Sequence, residues 1–278
     1  MTKTLVKPGR PRSAVVTGAA RGIGRAIAAE LVGRGYQVVV TDIDAESAKV
    51  TAGEIGAPLG LGLDVTDPSA TRGVVEEAKI LAPLGAFVAN AGVGFDGDLT
   101  DLTEAQIRTL VDVNVLGVVW GSRIAAEVFR AQAAEGTKGG DIGVTASLSS
   151  HGPVPGLSMY AATKAAALSL AMSLSVELKR DKIHVHAICP DGVDTQMVRE
   201  MEPGGQAQLL VASGTFFQPA QVARELVDMF GTRRVYRTMP VWRGVQTRLT
   251  ALVPGPSMRL EPVLERIGRR KIKKGKFT

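Results

Sequence analysis

With 278 residues, a mass of 29.1 kDa and a formal net charge of +6, the chain is long enough for one large α/β domain or two small ones. Its 45% hydrophobic and 22% charged residues exclude a disordered protein, and its single cysteine, Cys189, excludes an intrachain disulfide and a zinc site built on several cysteines. No apolar run of signal-peptide type follows the first basic residues and no stretch of 18 apolar residues occurs, so we expect a cytoplasmic protein without a transmembrane segment.

Short β-branched runs alternate with longer helical periods along most of the chain. The predicted strands are Ser13–Thr17, Gln37–Asp42, Pro58–Leu63, Ala86–Asn90, Asp141–Thr145, Ile183–Ile188 and Arg234–Val241. The predicted helices are Gly22–Arg34, Ala45–Gly53, Pro68–Leu81, one long helix within Thr103–Glu135, Ser158–Arg180 and Pro219–Phe230. This alternation predicts a single doubly wound α/β domain, with a parallel sheet of about seven strands flanked by helices.

The same pattern gives provisional boundaries. We assign residues 1–12 to an N-terminal arm, 13–245 to the α/β domain with a substrate loop at 194–217, and 246–278 to a C-terminal extension with a basic tail. Two segments have no clear periodicity, Asp191–Ser213 and the end beyond Arg243, and we expect both to be irregular.

The first predicted strand runs directly into a glycine-rich turn that opens the first helix, Thr17-Gly18-Ala19-Ala20-Arg21-Gly22-Ile23-Gly24. A dinucleotide pyrophosphate binds backbone N–H groups at a helix N-terminus, where a Cβ would hold it away. Because this turn follows a strand and opens a helix, it is stronger evidence for a dinucleotide site than an isolated glycine-rich turn would be. The turn therefore predicts a dinucleotide site.

An acidic residue, Asp42, ends the second predicted strand, 18 residues after Gly24. A carboxylate there can accept hydrogen bonds from both ribose hydroxyls, and it would repel a 2′-phosphate. This favours NAD over NADP. Arg21 argues the other way, because its guanidinium could pair with that phosphate.

Tyr160 and Lys164 lie four residues apart, on one face of a predicted helix. A phenol is a poor base at neutral pH, but a neighbouring ammonium favours the phenolate, so the pair is expected to serve as an acid/base. Ser147, 13 residues before Tyr160, follows a strand and could hydrogen-bond a substrate oxygen. Ser149 and Ser150 are alternatives to it.

Together these residues resemble the short-chain dehydrogenase/reductase family of the common single-domain type, over about Ser13 to Val241. The resemblance implies a Rossmann-like domain that transfers a hydride between nicotinamide C4 and a secondary alcohol or ketone. It implies that Tyr160 exchanges the proton with the substrate oxygen. Lys164 would lower the phenol pKa and hold the nicotinamide ribose. Ser147 would orient the oxygen, and Asn114, the helix asparagine of the family, would anchor a water next to Lys164.

The resemblance adds cofactor contacts after three further strands. Asp64-Val65, Asn90-Ala91-Gly92 and the segment Pro190 to Thr195 match the family's motifs at these places. The full set of implied cofactor-binding residues is Gly18, Ala20, Arg21, Gly22, Ile23, Gly24, Asp42, Asp64, Val65, Asn90, Ala91, Gly92, Tyr160, Lys164, Pro190, Gly192, Val193 and Thr195.

The sequence departs from the family pattern in three places. Ala89 replaces the first of two asparagines, which is expected to loosen a structural hydrogen bond. Asp191 separates Pro190 from Gly192, which are usually adjacent. An alignment on Gly152 would make Ser149 the catalytic serine in place of Ser147.

The substrate is expected to be a lipophilic alcohol or ketone, such as a steroid, because the loop Thr195–Phe217 is rich in apolar residues that would cover it. Ordinary packing of this segment against the sheet is the alternative. An NAD preference favours alcohol oxidation. A different class of function is an NAD-binding regulatory or sensor protein without turnover, which would contact a partner or a membrane through the basic tail.

Two features bear on partners. The helix Ser158–Arg180 is apolar on most sides, which predicts a homo-oligomer, either a dimer or a homotetramer. Residues Arg266 to Thr278 hold seven basic residues and no acid, which leaves −1 for the rest of the chain. A solvated end is the first interpretation of this tail, and a weak contact with anionic lipid is the second. Nucleic-acid binding has little support, since Phe277 is the tail's one aromatic residue.

Overall fold

Residues 11–199 and 215–252 are described in a computed structural model of the chain, together with residues 212, 255, 266, 267 and 270. Seven strands form one parallel sheet in the order β3-β2-β1-β4-β5-β6-β7. They are β1 Ser13–Val16, β2 Gln37–Asp42, β3 Leu59–Gly62, β4 Leu84–Ala89, β5 Gly140–Thr145, β6 Ile183–Pro190 and β7 Tyr236–Met239. The predicted doubly wound parallel sheet is confirmed.

Helices connect the strands and cover both faces of the sheet. In chain order they are α1 Gly22–Gly33, α2 Ala45–Ile55, α3 Pro68–Leu81, α4 Glu104–Val111, α5 Gly117–Ala134, α6 Ser158–Glu177, α7 Gln196–Arg199, α8 Pro219–Val227 and α9 Val241–Leu252. Sequence signals start several of them: Asp44 caps α2, and Asp67 caps α3 with Pro68 as its first residue.

The core has two parts, one on each face of the sheet. Because side chains alternate along a strand, Val15 belongs to one hydrophobic cluster, and its neighbours Ala14 and Val16 belong to the other. Strands that are buried on both faces consist of continuous apolar runs, and these runs allowed the strands to be predicted from the sequence. The strand order changes direction between β1 and β4, so the crevice of the fold opens at their carboxyl ends.

One expectation about helices is confirmed and one is wrong. The long helix expected within Thr103–Glu135 is present over Glu104–Ala134, with a π-helical turn, Asp112–Leu116, that contains Asn114. The segment beyond Arg243, expected to be irregular, continues helix α9 from Val241 to Leu252. The boundary that we set between residues 245 and 246 therefore falls inside a helix.

Two helical segments, Glu104–Ala134 and Ser158–Glu177, are long and apolar enough to cross a bilayer if length and composition alone are considered. Both pack against the sheet, α5 on β4 and α6 on β6, as the core helices of many α/β proteins do. The outer face of α6 remains exposed and includes Met172 and Val176.

Candidate active site

The residues assigned to a site from sequence meet in one crevice at the carboxyl ends of the strands, with a volume of about 1020 Å³. This is at the upper end of the usual range for ligand pockets and leaves room for a dinucleotide and a second molecule. The assigned residues that line it are Gly18, Arg21, Gly22, Ile23, Gly24, Asp42, Asp64, Val65, Asn90, Ala91, Gly92, Ser147, Tyr160, Lys164, Pro190, Gly192, Val193 and Thr195. Ala20 and Asn114 lie beside this lining.

The glycine-rich turn packs so closely on the next segment that side chains are excluded. Gly18 has φ +60°, and a Cβ there would lie 2.7 Å from the Cα of Ala91. A Cβ on Gly24 would collide with the carbonyl oxygen of Gly18 and with Nδ2 of Asn90. Gly18, Gly22 and Gly24 also line the crevice, so the backbone at the start of α1 reaches it without their side chains, which fits a pyrophosphate.

Hydrogen bonds from neighbouring strand ends fix this turn. The hydroxyl of Thr17 accepts from the backbone N–H groups of Asn90 and Ala91, each at 3.0 Å. Nδ2 of Asn90 donates to the carbonyls of Thr17 and Gly18 at 2.9 Å, and its Oδ1 accepts from the Thr145 hydroxyl. Ala89, where the family usually has an asparagine, is buried in the core.

Asp42 lies at the end of the crevice where the adenosine ribose would bind. Its carboxylate accepts from the backbone N–H of Ala20 at 3.1 Å and of Asp44 at 3.3 Å. The carbonyl of Ala20 in turn accepts from the Thr51 hydroxyl at 2.8 Å. Asp42 is thus held by the backbone with its charge facing the crevice, and the exposed Arg21 lines the same end.

Tyr160, Ser147 and Lys164 come together deeper in the crevice. The Tyr160 and Ser147 side chains both line this part of the crevice, and Ser147 lies close enough to the phenol to lower its pKa. Lys164 is buried at 4% exposure, its Nζ donates to the Thr145 carbonyl at 2.9 Å, and it lies 5.8 Å from the centroid of the Tyr160 ring. A phenol, a hydroxyl and an ammonium therefore share one wall.

The expected lowering of the phenol pKa by Lys164 is wrong for this structure. Burial raises the pKa of Tyr160 to about 12, and the nearby Ser147 side chain offsets only part of that effect. Burial also lowers the pKa of Lys164 to about 8, against a small opposing effect of Cys189. Desolvation is the largest effect on both groups, on the buried Lys164 and on Tyr160, which is half-buried in the wall of the crevice.

The two candidate serines have different surroundings. Ser147 faces Tyr160, and its hydroxyl also accepts from the backbone N–H of Ser149 at 3.2 Å. The hydroxyl of Ser149 is buried, with no hydrogen-bond partner among the described residues. The geometry favours Ser147 as the partner of the phenol.

Asn114 lies in the π-helical turn, completely buried beside the lysine. Its Oδ1 accepts from the backbone N–H of Val93 at 2.9 Å, and its Nδ2 donates to the Val93 carbonyl and to the Thr163 hydroxyl. A Cβ on Gly92 would lie 3.1 Å from Nζ of Lys164 and 3.2 Å from this Oδ1. The asparagine and the lysine thus border the same small space.

Sequence reasoning missed the wall formed by α9. Arg243, Gln246, Thr247 and Thr250 of this helix line the crevice. Nε of Arg243 bonds the buried carboxylate of Asp191 at 3.2 Å, and that carboxylate also accepts from the backbone N–H of Thr215. No local motif joins Asp191 to a residue 52 positions later, so this pair could not be read from the sequence.

Comparison with known proteins agrees with this geometry. The family model described as short chain dehydrogenase matches residues 12–205. The sorbitol dehydrogenase of Cereibacter sphaeroides is 34% identical over 229 residues, which are 78% of this chain and 88% of that protein. The chain belongs to the short-chain dehydrogenase/reductase family, and it is an NAD(P)-dependent oxidoreductase that acts on alcohol or ketone groups.

Two solved structures share the fold. One is a 3-ketoacyl-(acyl-carrier-protein) reductase from Brucella melitensis complexed with NADH, with a TM-score of 0.75 and 26% identity, covering 84% of this chain and 99% of that one. The other is a short chain dehydrogenase/reductase from Burkholderia phymatum in complex with NAD, with a TM-score of 0.77 and 25% identity, covering 86% and 92%. Both neighbours hold a nicotinamide dinucleotide, the ligand that the crevice fits.

Proposed function

We propose that this oxidoreductase prefers NAD(H) and interconverts a secondary alcohol and a ketone, with Tyr160 as the proton-transfer residue. The observation that carries the proposal is the convergence of the Tyr160 and Ser147 side chains on one part of the crevice, with the buried Lys164 beside the phenol ring. A phenol and a second donor that converge on one point of the crevice can hold a substrate oxygen between them.

When bound, the nicotinamide supplies or accepts the hydride. Tyr160 gives its proton to the carbonyl oxygen in the reduction and takes it back in the oxidation. Ser147 donates to the same oxygen and stabilises the negative charge that develops there. Lys164 and Asn114 hold the floor of the site, the lysine by contact with the nicotinamide ribose. Gly18, Gly22 and Gly24 bind the pyrophosphate through the bare backbone.

The charge state of Tyr160 bears on the direction of the reaction. Because its pKa is raised to about 12, the phenol carries its proton at neutral pH and is ready to donate it. This supports ketone reduction at neutral pH, against the alcohol oxidation that an NAD preference alone would favour. Oxidation needs the phenolate, whose fraction rises roughly tenfold per pH unit below the pKa.

The preference for NAD rests on Asp42. Its carboxylate, fixed by two backbone N–H groups, would repel a 2′-phosphate. Arg21 is exposed and can turn to solvent, whereas Asp42 cannot move without losing both hydrogen bonds. Repulsion of a 2′-phosphate by the fixed Asp42 carboxylate therefore outweighs its attraction to the mobile Arg21 guanidinium.

A lipophilic substrate is supported by Phe95, Leu148 and Val154, which line the crevice. Most of the loop 194–217, from which we expected an apolar lid, lies outside the described residues. The polar wall of α9 opposite, with Arg243 and Gln246, favours a substrate that carries a polar group at its far end. A sensor without turnover gains no support, since the relatives compared above are named as dehydrogenases or reductases.

We also propose that the uncharged outer face of α6 joins two copies of the chain. Ala162, Ala166 and Ser169 leave this face flat, and Met172 and Val176 are exposed on it. Such a face matches itself across a two-fold axis.

A panel of alcohols and ketones with NAD(H) and NADP(H) tests the function, with the absorbance of the reduced nicotinamide as the readout at pH 7 and pH 9. We expect ketone reduction with NADH at pH 7, and alcohol oxidation that increases at pH 9. Asp42→Ala should raise kcat/KM for NADPH relative to NADH by roughly 100-fold, because a like-charge repulsion of a few kcal/mol is removed. Glu46→Gln, on the exposed start of α2, is the matched control. Equal use of NADPH by the unchanged protein would rule out the role given to Asp42.

A further inference from the structure

Helix α9 carries an apolar stripe that the rest of the described protein leaves uncovered. Its members are Val241, Trp242, Val245, Leu249 and Leu252. Each is between 50% and 77% exposed, and Trp242 is 60% exposed. These five side chains form a contiguous patch on a twelve-residue helix. Soluble proteins seldom expose such an apolar patch unless it is an interaction site.

The stripe is one face of a helix whose other faces are occupied. At 3.6 residues per turn, its five members fall within about 100° of arc. Gly244 lies against Thr238, and Arg248 stacks on the Tyr236 ring at 4.9 Å and contacts His151. A further face lines the crevice through Arg243 and Thr247. The contacts of α9 with the protein therefore fix the stripe outward, next to the crevice.

The chain that follows the stripe is strongly basic. Residues 253–278 contain eight Lys or Arg and two Glu, a net charge of +6. The whole chain also has a net charge of +6, so the residues up to Leu252 are neutral overall. The positive charge of this protein is thus attached directly to its exposed apolar helix.

An anionic bilayer matches both the apolar stripe and the positive charge, because its hydrocarbon takes up apolar side chains and its headgroups carry negative charge. We propose that α9 docks this enzyme on anionic lipid membranes, with the stripe of five residues in the interface, and that the positive charge of residues 253–278 favours an anionic surface over a neutral one. A tryptophan in the stripe fits this depth, because indole rings favour the interface. Docking would hold α9, and with it one wall of the crevice, at the membrane surface, from which a lipophilic alcohol or ketone could enter.

A second copy of the chain is a less suitable occupant. Each copy would carry the same basic segment, with a net charge of +6, so association through α9 would work against the repulsion between two chains of like charge. The neutral outer face of α6 has no such repulsion and is the better surface for self-association.

Sedimentation with vesicles tests the proposal directly, on the full chain with and without NADH. The probes are vesicles of phosphatidylcholine alone and of phosphatidylcholine with 30% phosphatidylglycerol by composition, roughly a physiological anionic fraction. We expect binding to the anionic vesicles, a blue shift of tryptophan emission that is lost in Trp242→Phe, and a strong decrease in binding at high salt. The double variant Val245→Ser/Leu249→Ser should bind roughly tenfold more weakly.

The matched control is Val50→Ser/Ile80→Ser, which removes two branched apolar side chains of somewhat greater exposure from α2 and α3. It should bind vesicles as the unchanged protein does. Circular dichroism and NADH affinity show whether each variant is folded, and turnover of a water-soluble ketone tests the enzymatic proposal separately.

Three results would overturn the proposal: no binding of the unchanged protein to either vesicle, binding that the Val245/Leu249 variant retains in full, or a molecular mass in solution that falls from dimer to monomer in that variant alone. The last result would make the stripe a subunit interface, and the second would assign binding to the basic segment by itself.

Discussion

The two walls of the crevice are built by different means. The wall at the strand ends consists of backbone turns that Thr17 and Asn90 join by hydrogen bonds; these residues lie 73 positions apart, but each belongs to a motif that is visible in the sequence. The wall formed by α9 depends on side chains outside any such motif, above all Arg243 and Asp191. The first wall would hold the dinucleotide, and the second lines another side of the same crevice. Three substitutions, in order from the largest expected effect to the smallest, test this difference between the two walls.

Tyr160→Phe should have the largest effect, because it removes the proton donor at the strand-end wall. We expect kcat to fall by about 10³-fold with every substrate, while NADH affinity stays unchanged. Steady-state kinetics and nucleotide titration measure the two quantities. Tyr236→Phe changes a tyrosine in β7 and should leave both unaffected. A Tyr160→Phe variant with normal turnover would remove the basis of the mechanism.

Arg243→Met tests the α9 wall through stability. Asp191 is buried, and burial raises the pKa of its carboxyl group against the effect of Arg243, so loss of the arginine leaves an unpaired buried acid. We expect the free energy of unfolding to fall by about 3 kcal/mol. The double variant Asp191→Asn/Arg243→Met should recover most of it, and a denaturant double-mutant cycle measures the coupling. A coupling near zero would mean that the pair does not hold α9 in place. Arg237→Met breaks a more exposed pair with Glu225 and should cost less than about 1 kcal/mol.

Gly24→Ala tests how closely the cofactor turn is packed. The added methyl would meet the Gly18 carbonyl and the Asn90 amide, and we expect a loss of about 2 kcal/mol in stability together with weaker NADH binding. Gly33→Ala, at the other end of α1, has open space and should be neutral or stabilising by about 0.5 kcal/mol. Thermal unfolding and nucleotide titration distinguish the two. Equal behaviour of both variants would show that the turn has room to relax.

Much of this protein could be predicted from sequence because its signals are local. Continuous apolar strands, such as Gln37–Asp42, report burial on both faces, and the spacing of Tyr160 and Lys164 reports one helix face. The amphipathic α9 was missed because the last strand was extended to Val241 and the end beyond Arg243 was expected to be irregular. The polar face of this helix lies against β7 and the crevice, and only the tertiary structure shows these contacts.

By itself, the sequence determined the parallel α/β architecture and the glycine-rich turn, and it supplied the residues proposed for proton transfer, since each of these depends on a local motif or on one end of a strand. Only the tertiary structure decided the directions in which the pKa values of Tyr160 and Lys164 shift, the pairing of Asp191 with Arg243, and the exposure of one face of α9. The physical reason is that desolvation and long-range pairing depend on which segments cover a group, and the covering segments come from distant parts of the chain.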